Sequence, residues 1–146
     1  MAFRGVAARE ALPALLRRYD AFALASRTAR NGDTEGIPVT ILEAQAACLP
    51  VVVTRHAGIP EAIPTANRNL LVRQGDAEEL ARQLLSLASQ PSRWREIGLR
   101  GRVWVLQHFD LKDEVTAYRR LFEKLAVTPA RAAQPADNPP PSRGGS

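Results

Sequence analysis

The sequence predicts an α/β fold built on a parallel sheet. Three observations carry this. The run Pro50-Val51-Val52-Val53-Thr54 is short, β-branched and apolar at successive positions. That pattern suits a central strand covered by helices on both faces. Segments with apolar residues at helical spacing lie on either side of it. Helix and strand therefore alternate along the chain, which implies right-handed crossovers between parallel strands.

The elements follow in order. Ala8 to Arg18 places Leu12, Leu15 and Leu16 on one helical face and ends in basic residues, which the C-terminal end of a helix favours. Ala21-Phe22-Ala23-Leu24-Ala25 is a short apolar run and reads as a strand. Polar and small residues from Ser26 to Glu35 form a loop. A second helix begins near Pro38, with the proline in the first turn where its missing N–H does no harm, and runs to about Cys48. After the central strand, Asn69-Leu70-Leu71-Val72 reads as another. Asp76 opens a helix with Glu79 in capping-box spacing. Helices over Pro91 to Gln107 and Leu111 to Leu125 complete the ordered part, with Asp110 as cap of the last. These strands, with a further short one at Ala2 to Arg4, fall short of the roughly five or six in a complete doubly wound domain. The expectation is a partial Rossmann-like sheet, truncated at its start, over residues 1–126. Residues 127–146 are rich in Pro, Ala and Arg, have little to bury, and are expected to be disordered.

The 146 residues suffice for one domain with a core. A hydrophobic share of 45% and a charged share of 24% are ordinary for a soluble globular protein. The formal net charge is +5, but the basic residues are scattered, and Arg17-Arg18 and Arg119-Arg120 are only pairs. This argues against nucleic acid as a partner and leaves room for peripheral contact with an anionic membrane face. The single cysteine, Cys48, rules out an internal disulfide and reads as a small apolar filler at a helix end. No apolar run approaches the roughly 20 residues of a membrane helix, and the start lacks the apolar stretch of a signal peptide. The expected location is cytoplasmic, with contact at the inner face of the membrane made through a partner or another domain. His56 and His108 are too few and too far apart in sequence to suggest a site, and read as structural or surface residues. Trp94 and Trp104 share a predicted helix with Ile97, Val103 and Val105, where packing explains them better than base stacking.

The segment from Gly32 to Ala44 holds the chemistry. Glu35 lies in the loop before the second helix and Glu43 lies inside that helix. Between them, Gly36 lets the backbone approach a ligand closely. The first helical N–H groups and the helix dipole, over Ile37 to Thr40, form a natural phosphate site. Carboxylates beside such a site can accept hydrogen bonds from sugar or ribose hydroxyls. Spacing alone also admits a plainer account: acidic residues near a helix start offset its dipole, and a mid-helix glutamate usually faces water.

The run Glu35-Gly36-Ile37-Pro38 through Leu42-Glu43-Ala44, then Leu49-Pro50-Val51-Val52 and Gly58-Ile59-Pro60-Glu61, resembles the donor-site signature of glycosyltransferase family 4. Those are retaining enzymes of the GT-B fold, with two Rossmann-like domains facing a cleft, and the resemblance implies the C-terminal, donor-binding half. It extends more loosely to about residue 125. The wording around Ser26-Arg27-Thr28 and Thr54 to Glu61 looks most like exopolysaccharide members of the colanic acid and amylovoran type.

The resemblance implies that Glu43 holds the ribose hydroxyls of a nucleoside-diphosphate sugar and that Glu35, taken as the catalytic residue, contacts the donor sugar. The backbone of Gly36, Ile37, Pro38 and Val39 borders sugar and diphosphate, Thr40 adds a hydroxyl near the phosphates, and the loop from Arg55 to Glu61 borders the same cleft. No cofactor and no metal are expected. The acceptor, a glycan or lipid-linked sugar, would be bound through a missing N-terminal domain. Two departures stand out. Cys48 occupies a position where the family usually has glycine, which suggests an altered turn. The family's basic residues that clamp the diphosphate lie upstream and have no counterpart here. In the family the last helix packs near the domain junction, so here its apolar residues would be exposed. Two rival readings remain: a non-catalytic remnant or split-protein partner with weak nucleotide binding, and a nucleotide-sugar epimerase of related fold. The spacing of Glu35 and Glu43 around Gly-Ile-Pro argues against the latter.

Overall fold

The computed structural model describes residues 5–29, 32 and 36–127. The chain divides after Leu111 into two compact units. The first holds a parallel sheet in the order β1 (Phe22–Leu24), β2 (Val51–Arg55) and β3 (Leu71–Arg73). Phe22, Ala23 and Leu24 pair with Val51, Val52 and Val53, and Val53, Thr54 and Arg55 pair with Leu71, Val72 and Arg73. The expected strand at Ala2 to Arg4 and the tail beyond Val127 lie outside the described residues.

β2 is the centre, as its composition demands. Side chains alternate across a strand, so Val51 and Val53 face one way and Val52 the other. Val51 and Val53 pack with α1 (Leu12–Leu16), α2 (Val39–Ala46) and α3 (Ile59–Ala62), through Leu16, Ile41, Ala44, Ile59 and Ala62. Val52 packs with Val72 and Leu70, covered by Leu87 of α4 (Ala77–Ala88) and Ile97 of α5 (Trp94–His108). Helices thus cover both faces, and burial of each such aliphatic side chain contributes about 1.5–3 kcal/mol.

Several boundaries differ from expectation. Pro38 is the N-cap of α2, with extended backbone, rather than a first-turn residue. Asn69 and Leu70 belong to a 3₁₀ segment, Thr65–Leu70, so the third strand starts two residues later than its apolar run. A buried Asn67 explains this: its Nδ2 donates to the Ile97 carbonyl at 3.0 Å and holds the segment wound against α5. The stretch expected as a loop up to Glu61 contains the four-residue α3, with Pro60 in its first turn, where a missing N–H is harmless.

α2 ends two residues before Cys48, in a Schellman turn. Cys48 N–H donates to the Gln45 carbonyl at 2.9 Å and Leu49 N–H to the Ala44 carbonyl at 3.0 Å. Cys48 itself has φ 62°, the left-handed conformation that glycine takes without penalty. α5 lies directly on this turn. A Cβ on Gly98 would sit 2.6 Å from the Cys48 carbonyl carbon, and one on Gly101 would sit 3.0 Å from Gln45 Oε1. Arg102 of α5 donates to the Ala46 carbonyl, one of the groups left unpaired at a helix end.

The second unit contributes α6 (Leu111–Val127). Val115, Tyr118, Leu121 and Phe122 on it are between 50% and 65% exposed. Among the described residues no helix is long and apolar enough to cross a membrane.

Two opposite stability effects follow at the α2 turn. Gly98→Ala forces a methyl group into the Cys48 backbone, where no rotamer can yield, and is expected to cost about 3 kcal/mol in chemical denaturation. Cys48→Gly relieves the left-handed strain and is expected to gain about 1 kcal/mol in the same measurement.

Candidate functional site

In a parallel α/β sheet, ligands bind beyond the carboxyl ends of the strands, where the following helices begin. Here those helix starts are α2 after β1, α3 after β2 and α4 after β3. They differ in charge. α4 is closed by its own side chains. Asp76 accepts from Glu79 N–H at 2.7 Å, and Glu78 and Glu79 stand in its first turn. The capping box is only half formed: Glu79 turns away from Asp76 and accepts from Arg73 N–H at 2.8 Å and from its guanidinium at 3.3 Å. Arg73 also pairs with Asp76 at 2.8 Å. The hydrogen bond from Glu79 N–H, with help from Arg73, holds the Asp76 carboxyl below its ordinary pKa. The bond to Glu79 and the charges of Asp76 and Glu79 raise that of Arg73.

α2 begins the opposite way. Its N-cap, Pro38, makes no side-chain cap bond, and no acidic residue stands in its first turn. The Pro38 carbonyl takes Ile41 N–H at 3.0 Å. The N–H groups of Val39 and Thr40 have no partner within the helix, by helix geometry. Val39 and Thr40 are exposed, Gly36 is exposed, and Ile37 and Pro38 are half-buried. Among the described residues no side chain closes this end, and the helix dipole there favours an anion.

Glu43, half-buried, lies just over one turn farther along α2. It has no ion pair or side-chain hydrogen bond among the described residues. It lines a cleft of about 500 Å³ between α1 and α2, with Leu12, Pro13 and Leu16 as apolar wall and Arg9, Arg17 and Arg102 contributing positive charge. Cys48 lines the far end. Glu35 lies outside the described residues, so the pairing of Glu35 with Glu43 rests on sequence.

The second part of the signature packs against the first. A Cβ on Gly58 would lie 2.9 Å from Ile37 Cγ1 and 3.7 Å from the Gly36 carbonyl carbon. The two segments are thus one structural unit, although separate in sequence.

A family model of the group 1 glycosyl transferases matches residues 1–90, more than half of the chain. The chain belongs to this family. It is 40% identical over 121 residues to the amylovoran biosynthesis glycosyltransferase AmsK of Erwinia amylovora, covering 83% of this chain and 29% of that protein. It is 46% identical over 71 residues to WcaL of Salmonella typhimurium, named for colanic acid biosynthesis, covering 49% of this chain and 18% of that one. It is 34% identical over 124 residues to a GDP-mannose-dependent mannosyltransferase of Mycolicibacterium smegmatis that acts on a phosphatidylinositol monomannoside, covering 84% and 31%. The chain therefore spans less than a third of the length of these relatives. The family uses nucleotide-sugar donors. No group of three or more His, Cys, Asp or Glu residues that could hold a metal occurs among the described residues.

Other residues take structural places. His56 is buried at the end of β2, its Nδ1 2.9 Å from Gln74 Oε1. His108 stacks on Trp104 with ring centroids 3.8 Å apart. Trp94 Nε1 donates to the Leu87 carbonyl at 2.7 Å and Trp104 Nε1 to the Glu61 carbonyl at 3.1 Å. Sequence reasoning missed Gln45, Gly98 and Gly101; the available signal was a pair of glycines three apart inside a helical pattern.

The Asp76 cap gives a pH-dependent prediction. A depressed native pKa means stability that is present above the ordinary carboxyl value and lost as pH falls through the native one. Asp76→Ala should lower Tm at neutral pH, and the gap to wild type should close in acid below about pH 4, read by thermal denaturation across pH.

Proposed function

We propose that residues 1–126 are the C-terminal, nucleotide-sugar-binding domain of a GT-B glycosyltransferase. The reaction moves a sugar from a nucleoside-diphosphate sugar to a glycan or lipid-linked acceptor, with retention, in polysaccharide biosynthesis. The observation that carries this is the uncapped start of α2 with Glu43 just over one turn farther along the same helix, its carboxylate without a partner among the described residues. An anion site and a hydroxyl acceptor about one helical turn apart match a ligand with both diphosphate and ribose. Family membership and the amylovoran and colanic acid names of relatives support the reaction class.

In this reading Glu43 accepts hydrogen bonds from the ribose hydroxyls. Gly36, Ile37, Pro38 and Val39 line the path of sugar and diphosphate, and the Val39 and Thr40 N–H groups receive the charge that grows on the diphosphate as it leaves. Aiming preorganised donors at developing charge is worth most in a water-poor site. Glu35 contacts donor-sugar hydroxyls. The acceptor hydroxyl attacks the face from which the diphosphate departs, so no side-chain nucleophile is required. Metal, cofactor and nucleic acid have no assigned part. The acceptor is bound by a separate N-terminal domain, on the cytoplasmic face of a membrane.

Titration calorimetry with GDP, UDP and their sugars tests this. Saturable binding is expected, weakened roughly tenfold by Glu43→Ala, the scale of a lost hydrogen bond to a charged group. Glu35→Ala is expected to cost less. Equal affinities for wild type and Glu43→Ala would remove the ribose assignment.

A further inference from the structure

Gln45 is 1% exposed, two residues beyond Glu43 on α2. A fully buried glutamine is uncommon, because each of its polar atoms must find a partner. Gln45 achieves this only in part. Its Nε2 donates to the Ala62 carbonyl at 2.9 Å, while Oε1 is buried without a partner among the described residues. Methionine has similar length, fills such space readily and carries no such liability. Packing alone gives no reason for a glutamine here.

The reason lies in what the bond joins. Ala62 is the last residue of α3, and its carbonyl is one of those a helix leaves unpaired. At its other end, the segment leading into α3 meets the start of α2, where Gly58 lies against Ile37. α2 is therefore attached to the second signature segment at two points, near its start through Ile37 and near its end through Gln45. Two points fix the height of a helix and its rotation about its axis; one does not. Glu43 and the Val39 and Thr40 N–H groups lie between these points.

We propose that Gln45 is a positioning residue for the donor site. Through the Ala62 carbonyl it sets the axial position of α2, and so aims the Glu43 carboxylate and the first helical N–H groups at the nucleotide. This rests on the donor-site reading above. The unpaired Oε1 is the cost in stability of that alignment, as is common where a site is held in a fixed geometry.

The test separates affinity from stability. Gln45→Met removes the bond to Ala62 and also the unpaired Oε1, so its effects on folding oppose each other. Tm is expected to move by less than about 5 °C. Affinity for GDP or UDP, whichever the wild type binds, is expected to fall roughly tenfold, since a misplacement near 1 Å suffices for losses of this order and above. Gly101→Ala is a second route: it keeps Gln45 but places a methyl group 3.0 Å from its Oε1. It too should weaken binding. Leu99→Ala, on the same helix with a side chain 44% exposed, should not. A folded Gln45→Met with wild-type affinity overturns the proposal while leaving the Glu43 assignment intact. If Gln45→Met fails to fold, wild-type affinity in a folded Gly101→Ala overturns it equally. A folded wild type that binds neither nucleotide overturns the donor-site reading, and Gln45 with it.

Discussion

The closeness of α5 to the end of α2 governs the geometry of this fold. At Gly98 there is no room even for a methyl group beside the Cys48 carbonyl, and at Gly101 the space is taken by Gln45. Both glycines are buried. A glycine inside a helix lowers its intrinsic stability by roughly 1 kcal/mol relative to alanine. Two within α5 are tolerable because they let the backbone of one helix rest on the terminal turn of another. That turn leads through Leu49 and Pro50 straight into β2. The same contact therefore fixes the last turn of α2 and the first residues of the central strand.

What could be read from the sequence divides along the same line. β2 was plain because a central parallel strand is apolar on both faces, and Val51, Val52 and Val53 need no outside information to declare it. β3 was displaced because Asn69 and Leu70 extend an apolar run that is wound, not extended; a short apolar run does not distinguish the two. The cause is the distant bond from Asn67 to Ile97, which no local pattern reveals. Glu43 is singled out in the sequence by the family resemblance of the Glu35-Gly36-Ile37-Pro38 to Glu43 run, and spacing alone admits a solvent-facing glutamate. Gln45 was missed because a glutamine in mid-helix normally faces water. Its burial depends on α3, a helix of four residues whose own signal is slight.

The carboxyl edge of the sheet is not uniformly polar. Beyond β3 the charges are consumed locally, with Arg73, Asp76 and Glu79 satisfying one another and the start of α4. An anion placed there would compete with a carboxylate already in position. Beyond β1, the start of α2 has neither a cap nor an acidic first turn. The Glu43 carboxylate stands far enough along to leave the first N–H groups clear. Two helix starts on one edge thus differ. One is closed by its own carboxylates, and the other, among the described residues, has no such closure.

Backbone strain marks the same region. Cys48, before β2, has φ 62°, and Ala57, after it, has φ 44°. For residues other than glycine such conformations cost about 1–2 kcal/mol each and persist only where the surroundings impose them. At Cys48 the surroundings are the Schellman turn and α5. At Ala57 they are the neighbouring Gly58, pressed against Ile37, and the buried His56, held by Gln74. The strained residues therefore stand at the two bends that carry the chain from α2 into the sheet and from the sheet into α3. Glycine would take the Cys48 conformation without strain, so the cost there belongs to the side chain and not to the path of the chain. The unpaired oxygen of Gln45 and the uncapped start lie on α2, and the strained residues lie at the bends just after α2 and just before α3, so these costs gather where α2 meets the second signature segment.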